Sequence, residues 1–159
     1  LLAEGVPLKD MRTILETLSE GASFSKDAEK LTALVRIKLG RLIIHEINEP
    51  DNALEVMTLE PSLEQLLNDL ISNAQSIEDV ALEPNLSQSV FRSIADVVEE
   101  MEKEEKYPVL VVSPTIRSWL ARLLKRAKQE ISVLSYREIP DDQSIRIVQT
   151  IELNETSEE

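Results

Sequence analysis

Few residues of this chain have the type and spacing that catalysis or metal binding requires. The single histidine is His45, and the nearest carboxylates in sequence are Glu46 and Glu49. A metal site needs several ligands and a general base needs an orienting partner, so we predict a structural or surface role for His45. Asp141 and Asp142 occupy a turn, where aspartates commonly form local hydrogen bonds. The chain has no cysteine, which excludes thiolate nucleophiles, disulfides and Cys-bound zinc.

Ser113 is a possible nucleophile, but nothing in its sequence context activates it. No GxSxG elbow and no glycine-rich phosphate loop occurs, and Ser113 has no histidine partner nearby in sequence. Ser113 followed by Pro114 instead predicts the start of a helix, with the hydroxyl as its cap and proline at the first helical position. The alternative is a small α/β enzyme or regulator with its site at the strand ends near Ser113.

Charged side chains define two candidate binding surfaces. The run Glu99–Glu105 (EEMEKEE) is most simply a solvated helix face, with docking of a basic partner as the alternative. The basic face of a second helix carries its cations toward the C-terminal end, where they complement the helix dipole, so a structural role is again preferred. The candidate partner-binding residues on the two surfaces are Glu99, Glu100, Glu102, Arg117, Arg122 and Lys125.

Composition and charge narrow the classes of partner. The net charge is −13, aromatic residues make up 3% of the chain and hydrophobic residues 42%. Residues 51–106 hold 3 Lys/Arg against 14 Asp/Glu, so this middle third carries most of the excess. Such a field repels phosphate backbones and disfavours nucleic-acid binding, whereas basic protein partners remain possible. No apolar run approaches the roughly 20 residues that span a bilayer.

Residues 1–50 are predicted to form part of a helical subdomain. Apolar periodicity indicates one helix over 7–20 and a second over 27–47, joined by a short polar loop as a helical hairpin. Their apolar surface exceeds what one helix pair can cover, so we expect further helices upstream. The turn-forming segment 48–52 (NEPDN) is the predicted domain boundary.

Residues 51–153 are predicted to form a small layered α/β subdomain, so that the whole chain is of the α/β or α+β class. The pattern is β-α-α-β-α-β-β, and the stretch 109–139 predicts two parallel strands joined by a right-handed helical crossover. Trp119 lies in the apolar stripe of that helix and Tyr136 in the strand that follows, so both are assigned structural roles. The final strands, 131–139 and 145–153, are predicted to pair as a hairpin, which makes the sheet mixed. Residues 154–159 are predicted to be a flexible tail.

Four sequence blocks resemble one protein family. LLAEGVPLKDMRTILETLSE and LTALVRIKLGRLI in the first half, and PVLVVSPTIRSWLARLLKR and ISVLSYREIP in the second, resemble the cytoplasmic domain of the FHIPEP export-gate family of type III secretion, whose flagellar branch is the FlhA proteins. The segment 48–106 shares only the pattern of elements. The motifs PLKD and EIPDD lean toward the flagellar branch, with the virulence injectisome branch as the alternative.

The resemblance implies a non-enzymatic role without cofactors. Family members are multi-pass proteins of the bacterial inner membrane whose cytoplasmic domains form a nine-membered ring. Residues 1–50 would correspond to most of the third cytoplasmic subdomain, which makes ring contacts, and residues 51–153 to the fourth. The implied partners are neighbouring subunits, chaperone–substrate complexes and the export ATPase complex. The segment itself would not contact the membrane or nucleic acid, and in isolation it would be a monomer, because ring contacts are weak without membrane anchoring.

Overall fold

A computed structural model describes residues 1–74, 80 and 82–153. In this part of the chain a four-stranded sheet lies between two layers of helices. The first layer comprises α1 (Met11–Gly21), α2 (Ala28–Lys38) and α3 (Gly40–Ile47). The second comprises α4 (Pro61–Asn73), α5 (Pro84–Lys103) and α6 (Pro114–Arg126). The strands are β1 (Leu54–Leu59), β2 (Val109–Val112), β3 (Ser132–Ser135) and β4 (Ile145–Ile151), so the predicted α/β class and the order β-α-α-β-α-β-β are confirmed.

The sheet has the order β3-β2-β1-β4, and every pair of neighbouring strands in it is parallel. The predicted hairpin, and with it the mixed sheet, was therefore wrong. β4 pairs with β1 at the far edge, with Leu54 opposite Ile145 and Leu59 opposite Ile151. The reason lies in the segment after β3, which forms a 3-10 turn over Tyr136–Glu138 instead of prolonging the strand. Residues 136–144 then carry the chain from one edge of the sheet to the other.

Both faces of the sheet are largely buried over β1, β2 and β3, as the apolar run of β2 predicts for a parallel sheet, whereas β4 is mostly exposed. One face packs on α4, α5 and α6, and the other on α1, α2 and α3. Trp119 is buried in the first of these cores, as predicted. Tyr136 is exposed, because the strand in which we placed it ends at Ser135. Residues 48–53 connect α3 to β1, and the division into two subdomains at that turn stays a prediction.

The helices of the first layer differ from the predicted ones in where they begin and in number. α1 begins at Met11, because the Asp10 carboxylate accepts a hydrogen bond of 3.0 Å from the backbone N–H of Thr13. The helix predicted over 27–47 is divided at Leu39, between α2 and α3. Asp27 caps α2 as its position predicts, accepting from the N–H of Glu29 at 2.9 Å.

The described residues leave two expectations unexamined. The predicted tail, 154–159, lies outside the described ranges, and so do most of residues 75–84, for which the sequence predicts an irregular connection between two helices. Within those ranges, no helix combines the length and the apolar composition that crossing a bilayer requires.

Candidate interaction surfaces

A cluster of four charged side chains joins the first helical layer to the rest of the chain; three of them are buried, and the fourth, Glu4, is 24% exposed. Arg36 of α2 is 3% exposed and binds Glu138 in bidentate fashion, with Nε 3.0 Å from Oε1 and Nη2 2.9 Å from Oε2. Nη1 of Arg36 lies 2.7 Å from Oε2 of Glu4 in the N-terminal segment. The planar guanidinium fork suits this pairing, because it can satisfy two carboxylates at once. We refer to Glu4, Arg36, Arg117 and Glu138 as the ionic cluster.

Arg117 completes the ionic cluster and is therefore not a partner-binding residue. It is 5% exposed, with Nη1 3.1 Å from Oε2 of Glu4 and Nε 3.4 Å from Oε1 of Glu138. Burial, and then the neighbouring charge of Arg36, lower the pKa of the Arg117 guanidinium from its ordinary value. Its place on the hydrophilic flank of α6 suggested solvent exposure, whereas the N-terminal segment and the 3-10 turn cover it. The prediction of partner binding was wrong for this residue.

The other charged candidates remain on the surface. Arg122 pairs with Glu29 of α2, and the ammonium of Lys125 contacts the carbonyl of Ala3, so the basic end of α6 faces the first helical layer. Glu99 forms an exposed pair with Lys103 one turn along α5, with Nζ and Oε1 2.7 Å apart. That pair lowers the pKa of the Glu99 carboxyl. Glu100 and Glu102 are also exposed. Partner binding by Arg122, Lys125 and the three glutamates stays a prediction.

Ser113 connects α6 to α4 and does not cap its own helix with its hydroxyl. It occupies the N-cap position and Pro114 the first turn, as predicted, but the hydroxyl makes no capping bond. It donates instead to Oδ1 of Asn68 at 2.8 Å, while the backbone N–H donates to Oε1 of Glu64 at 3.1 Å. Burial raises the pKa of the Glu64 carboxyl above its usual value. The capping prediction was wrong because α4 brings an acceptor within reach of the hydroxyl.

Replacement of Ser113 tests this connection. Ser113→Ala is expected to lower the free energy of unfolding by about 1–2 kcal/mol, because it removes a buried hydrogen bond and leaves Asn68 without its donor. The measurement is urea denaturation followed by circular dichroism. Ser23→Ala is the matched control, since the Ser23 hydroxyl also donates one bond but at an exposed position. Equal effects of the two substitutions would show that burial of Ser113 contributes nothing.

The surroundings of Ser113 do not form a nucleophilic site. Its neighbours Asn68 and Glu64 supply an amide and a carboxylate but no imidazole. His45 is exposed on α3, in the opposite helical layer. No group of three or more His, Asp or Glu side chains in the described ranges is arranged to hold a metal ion.

The hairpin of α1 and α2 exposes large apolar side chains. Met11 and Leu15 lie one turn apart on α1, and Leu34 lies on α2 beside the end of α1. Phe24, in the loop between the helices, is 89% exposed, and Leu15 is 58% exposed. We refer to Met11, Leu15, Phe24 and Leu34 as the hairpin patch. Apolar periodicity places three of these residues in the buried stripe, yet only the inner part of that stripe, including Ile14 and Val35, reaches the sheet.

Three members of the ionic cluster escaped the sequence analysis. Glu4 and Glu138 have no local signature, because their partner Arg36 lies 32 and 102 positions away in sequence. Arg36 did carry a signal, since it stands between Val35 and Ile37 on the apolar side of its helix. A charge at such a position is rarely buried without a partner, which predicts an ion pair but not which carboxylates form it.

Comparison with known proteins identifies relatives of this arrangement. The sequence matches the FHIPEP family over residues 1–144. The flagellar biosynthesis protein FlhA of Buchnera aphidicola subsp. Acyrthosiphon pisum is 40% identical over 152 residues, which cover 95% of this chain and 21% of that protein. FlhA of Salmonella typhimurium is 37% identical over 151 residues, with the same coverage. This chain therefore spans about a fifth of the length of these curated relatives.

Solved structures agree in fold. CdsV of Chlamydia pneumoniae has a TM-score of 0.82 and 30% identity, covering 94% of this chain and 43% of that chain. The same protein has been solved in complex with CdsO. The nonameric SctV-C of EPEC, solved by cryo-electron microscopy, has a TM-score of 0.80, covers 95% of this chain and 45% of its own, and at 23% identity shares the fold alone. Because the family match extends over residues 1–144, this chain belongs to the FHIPEP family.

Proposed function

We propose that this chain is a docking and ring-assembly portion of the cytoplasmic domain of a bacterial flagellar type III protein export gate. It works by binding, at the cytoplasmic face of the inner membrane, and it receives export substrates, their chaperones and soluble export components. The observation that carries the proposal is the hairpin patch: large apolar side chains left uncovered on the surface of residues 1–50. Exposed apolar residues of this kind are characteristic of a surface that another protein covers.

The proposal assigns separate roles to the two parts of the chain. The hairpin patch contacts the neighbouring subunit, in the ring that the family resemblance leads us to expect. The acidic α/β part, with Glu99, Glu100 and Glu102 exposed on α5, meets the other components, which the complex of CdsV with CdsO supports. The ionic cluster connects the two parts, since Arg36 pairs with Glu138 and Glu4 pairs with Arg117 across the predicted boundary.

Substitution at the hairpin patch tests the ring-assembly role. Leu15→Glu is expected to change the stability of the chain by no more than about 0.5 kcal/mol, because the side chain is exposed and its loss leaves no cavity. In the full-length gate it is expected to prevent assembly, because a charge would then be buried without a partner between subunits. The measurements are ring size by native electrophoresis and export of flagellar proteins. The isolated chain is expected to sediment as a monomer in both forms.

Ser72→Glu is the control, since it adds the same charge to an exposed position on α4, in the other helical layer and away from the hairpin patch. It is expected to leave assembly and export unchanged. Normal assembly and export with Leu15→Glu would refute the role of the hairpin patch.

The injectisome gate is the second candidate function. The curated relatives described above are flagellar proteins at 37–40% identity, whereas the solved structures described above reach 30% at most, which favours the flagellar branch. Complementation separates the two: a flagellar gate carrying this segment in place of its own is expected to restore motility, and an injectisome gate carrying it is not expected to restore secretion. The opposite pattern would support the injectisome branch.

A further inference from the structure

The two edges of the sheet differ in how much backbone they leave open. β3 has four residues, and the carbonyl of Val133 already accepts a bond from Nη2 of Arg36 at 3.4 Å. β4 has seven residues, of which only Val148 and Ile151 are even partly buried. Proteins commonly protect a sheet edge with a short strand, a proline, a β-bulge or several charges. The pairing of β4 with β1 has one register irregularity, and it lies after Ile147, so that Ile145 to Ile147 pair regularly. β4 contains no proline, and its single charged residue, Arg146, is paired with Glu55.

The backbone of β4 has unused hydrogen-bonding groups on its outer side. The carbonyl of Ser144 accepts a bond of 2.8 Å from the N–H of Leu54, so it points toward β1. Backbone groups alternate between the two sides of a parallel strand. The N–H and C=O groups of Ile145 and Ile147 therefore point away from β1, toward the open edge. These four groups offer two donors and two acceptors to an added strand.

The side chains of β4 provide an apolar surface on one face of this edge. Ile145 and Ile147 pair with Leu54 and Val56, which pack against the first helical layer. The two isoleucines lie on the same face but beyond the cover of that layer, and they are 46% and 61% exposed. An added strand would place every second side chain against them.

The opposite face of the same edge is acidic. A groove with a volume of about 400 Å³ lies between α5 and the end of β4, and Asp96, Glu100 and Glu152 line it. Ser93, also in the wall of this groove, is 5% exposed, and its hydroxyl has no hydrogen-bond partner among the described residues. The groove thus presents carboxylates to whatever lies along β4, whereas the Ser93 hydroxyl is buried beneath its wall.

We propose that β4 accepts a fifth strand from another protein, in the form of an extended segment that alternates apolar with basic residues. Its backbone pairs with Ile145 and Ile147, its apolar side chains pack on these isoleucines, and its lysines or arginines face the carboxylates of the groove. Successive side chains of an extended strand point to opposite faces. The apolar side chains of such a segment would therefore lie on the apolar face of this edge, and its basic side chains on the acidic face.

Charge identifies the occupant as a basic partner. The chain's own last residues, 154–159, read NETSEE, and their carboxylates would be repelled by Asp96, Glu100 and Glu152. A second copy of the chain would bring two such acidic edges together at a net charge of −13 each. A basic segment avoids both kinds of electrostatic repulsion. The proposal shares Glu100 with the acidic surface to which we assign other export components, but it does not rest on that role, because strand addition can be measured without ring assembly or export.

A designed peptide tests the proposal on the chain as it stands. The probe is a nine-residue peptide alternating valine and lysine, and its control replaces every lysine with glutamate. Hydrogen exchange followed by NMR is expected to show slower exchange at the amides of Ile145 and Ile147 with the lysine peptide only. The apparent Kd of the lysine peptide, measured by calorimetry, is expected to rise with salt concentration.

Variants of the chain separate the backbone contribution from the charge contribution. Ile147→Pro removes an N–H that no strand of the sheet uses, and it is expected to weaken binding by at least about tenfold. Asp96→Asn with Glu100→Gln is expected to weaken binding by about fivefold and to reduce its salt dependence. Glu16→Gln with Glu20→Gln, on α1, is the matched control and is expected to leave binding unchanged.

Three outcomes would overturn the proposal: equal binding of the glutamate peptide, protection at amides other than those of β4, or undiminished binding by a folded Ile147→Pro variant. If that variant does not fold, hydrogen exchange in the unmodified chain is decisive. Slower exchange confined to the amides of β4 supports the proposal, and slower exchange elsewhere contradicts it.

Discussion

Glu138→Ala is expected to lower the free energy of unfolding by about 3–5 kcal/mol, the usual cost of removing one partner from a buried ion pair. The Glu138 side chain is 2% exposed and is the only bidentate partner of Arg36 within the ionic cluster. Without it, Arg36 and Arg117 remain buried side by side with only Glu4 to compensate them. Their mutual repulsion then adds to the cost of keeping both guanidinium groups out of water.

Asp142→Ala provides the matched control for this experiment. Asp142 stands four residues after Glu138 and also pairs with an arginine of the first helical layer, with Oδ2 2.9 Å from Nη1 of Arg41. That pair is exposed, so water replaces the lost partner and a much smaller change is expected. Urea denaturation of both variants measures the difference. A Glu138→Ala variant as stable as Asp142→Ala would mean that the ionic cluster is solvated and contributes little.

Gly40→Ala is expected to destabilise the chain by an amount at the upper end of the ~1–3 kcal/mol that overpacking usually costs. A Cβ atom at Gly40 would lie 2.0 Å from the carbonyl oxygen of Glu138, so α3 and the 3-10 turn could not keep their present separation. Gly40 does not have a positive φ, so space and not backbone conformation requires glycine here. Helix propensity alone predicts the opposite sign, because alanine is favoured over glycine by about 1 kcal/mol within a helix.

Gly21→Ala is the control for this substitution. A Cβ at Gly21 would meet Cδ2 of Leu31 at 2.7 Å, but that atom ends a flexible side chain that can move aside. We therefore expect a clearly smaller loss of stability than for Gly40→Ala in thermal and urea denaturation. If Gly40→Ala proves neutral or stabilising, the close approach of α3 to Glu138 is incorrect.

Both substitutions act on the crossing segment, residues 136–144, which determines where β4 lies. The segment is held to α2 and α3 by Glu138 and by its close contact with Gly40. It carries the chain to the far edge, where β4 pairs with β1 and leaves its outer side open. We assign strand addition to β4, and the position of β4 depends on the contacts that Glu138 makes with α2 and α3.

Local patterns were sufficient for most elements of the fold. The apolar run of β2, the Ser-Pro pair and the stripe containing Trp119 predicted strand, helix start and buried face, and the structure confirms all three. These predictions depend on residues within a few positions of one another. The prediction of one helix over 27–47 had the right end, Ile47, but missed the division at Leu39. The role of Gly40, just after this division, is not local and becomes visible only with Glu138 beside it.

The candidate surfaces were less accessible to prediction. The acidic face of α5 follows from sequence, because consecutive charges on a helix are solvated wherever the helix packs. The open outer side of β4 does not follow from the sequence. Its alternation of residues suits pairing with β3 as well as with β1, so the sequence does not show at which edge of the sheet it lies. Arg117 shows the same limit, since its position on α6 indicates a flank of the helix but not what covers that flank.

The sequence by itself determined the order of helices and strands in residues 51–153, the buried strand β2, the acidic middle third and the family resemblance, because each is a property of neighbouring residues or of composition. Only the tertiary structure decided the all-parallel sheet, the burial of the ionic cluster, the Asn68 partner of Ser113 and the open edge of β4. The physical reason is that each of these results from contacts between distant positions, such as the 102 residues that separate Arg36 from Glu138. Residue types indicate that such charges need partners, and the packing of the layers selects which partners they find.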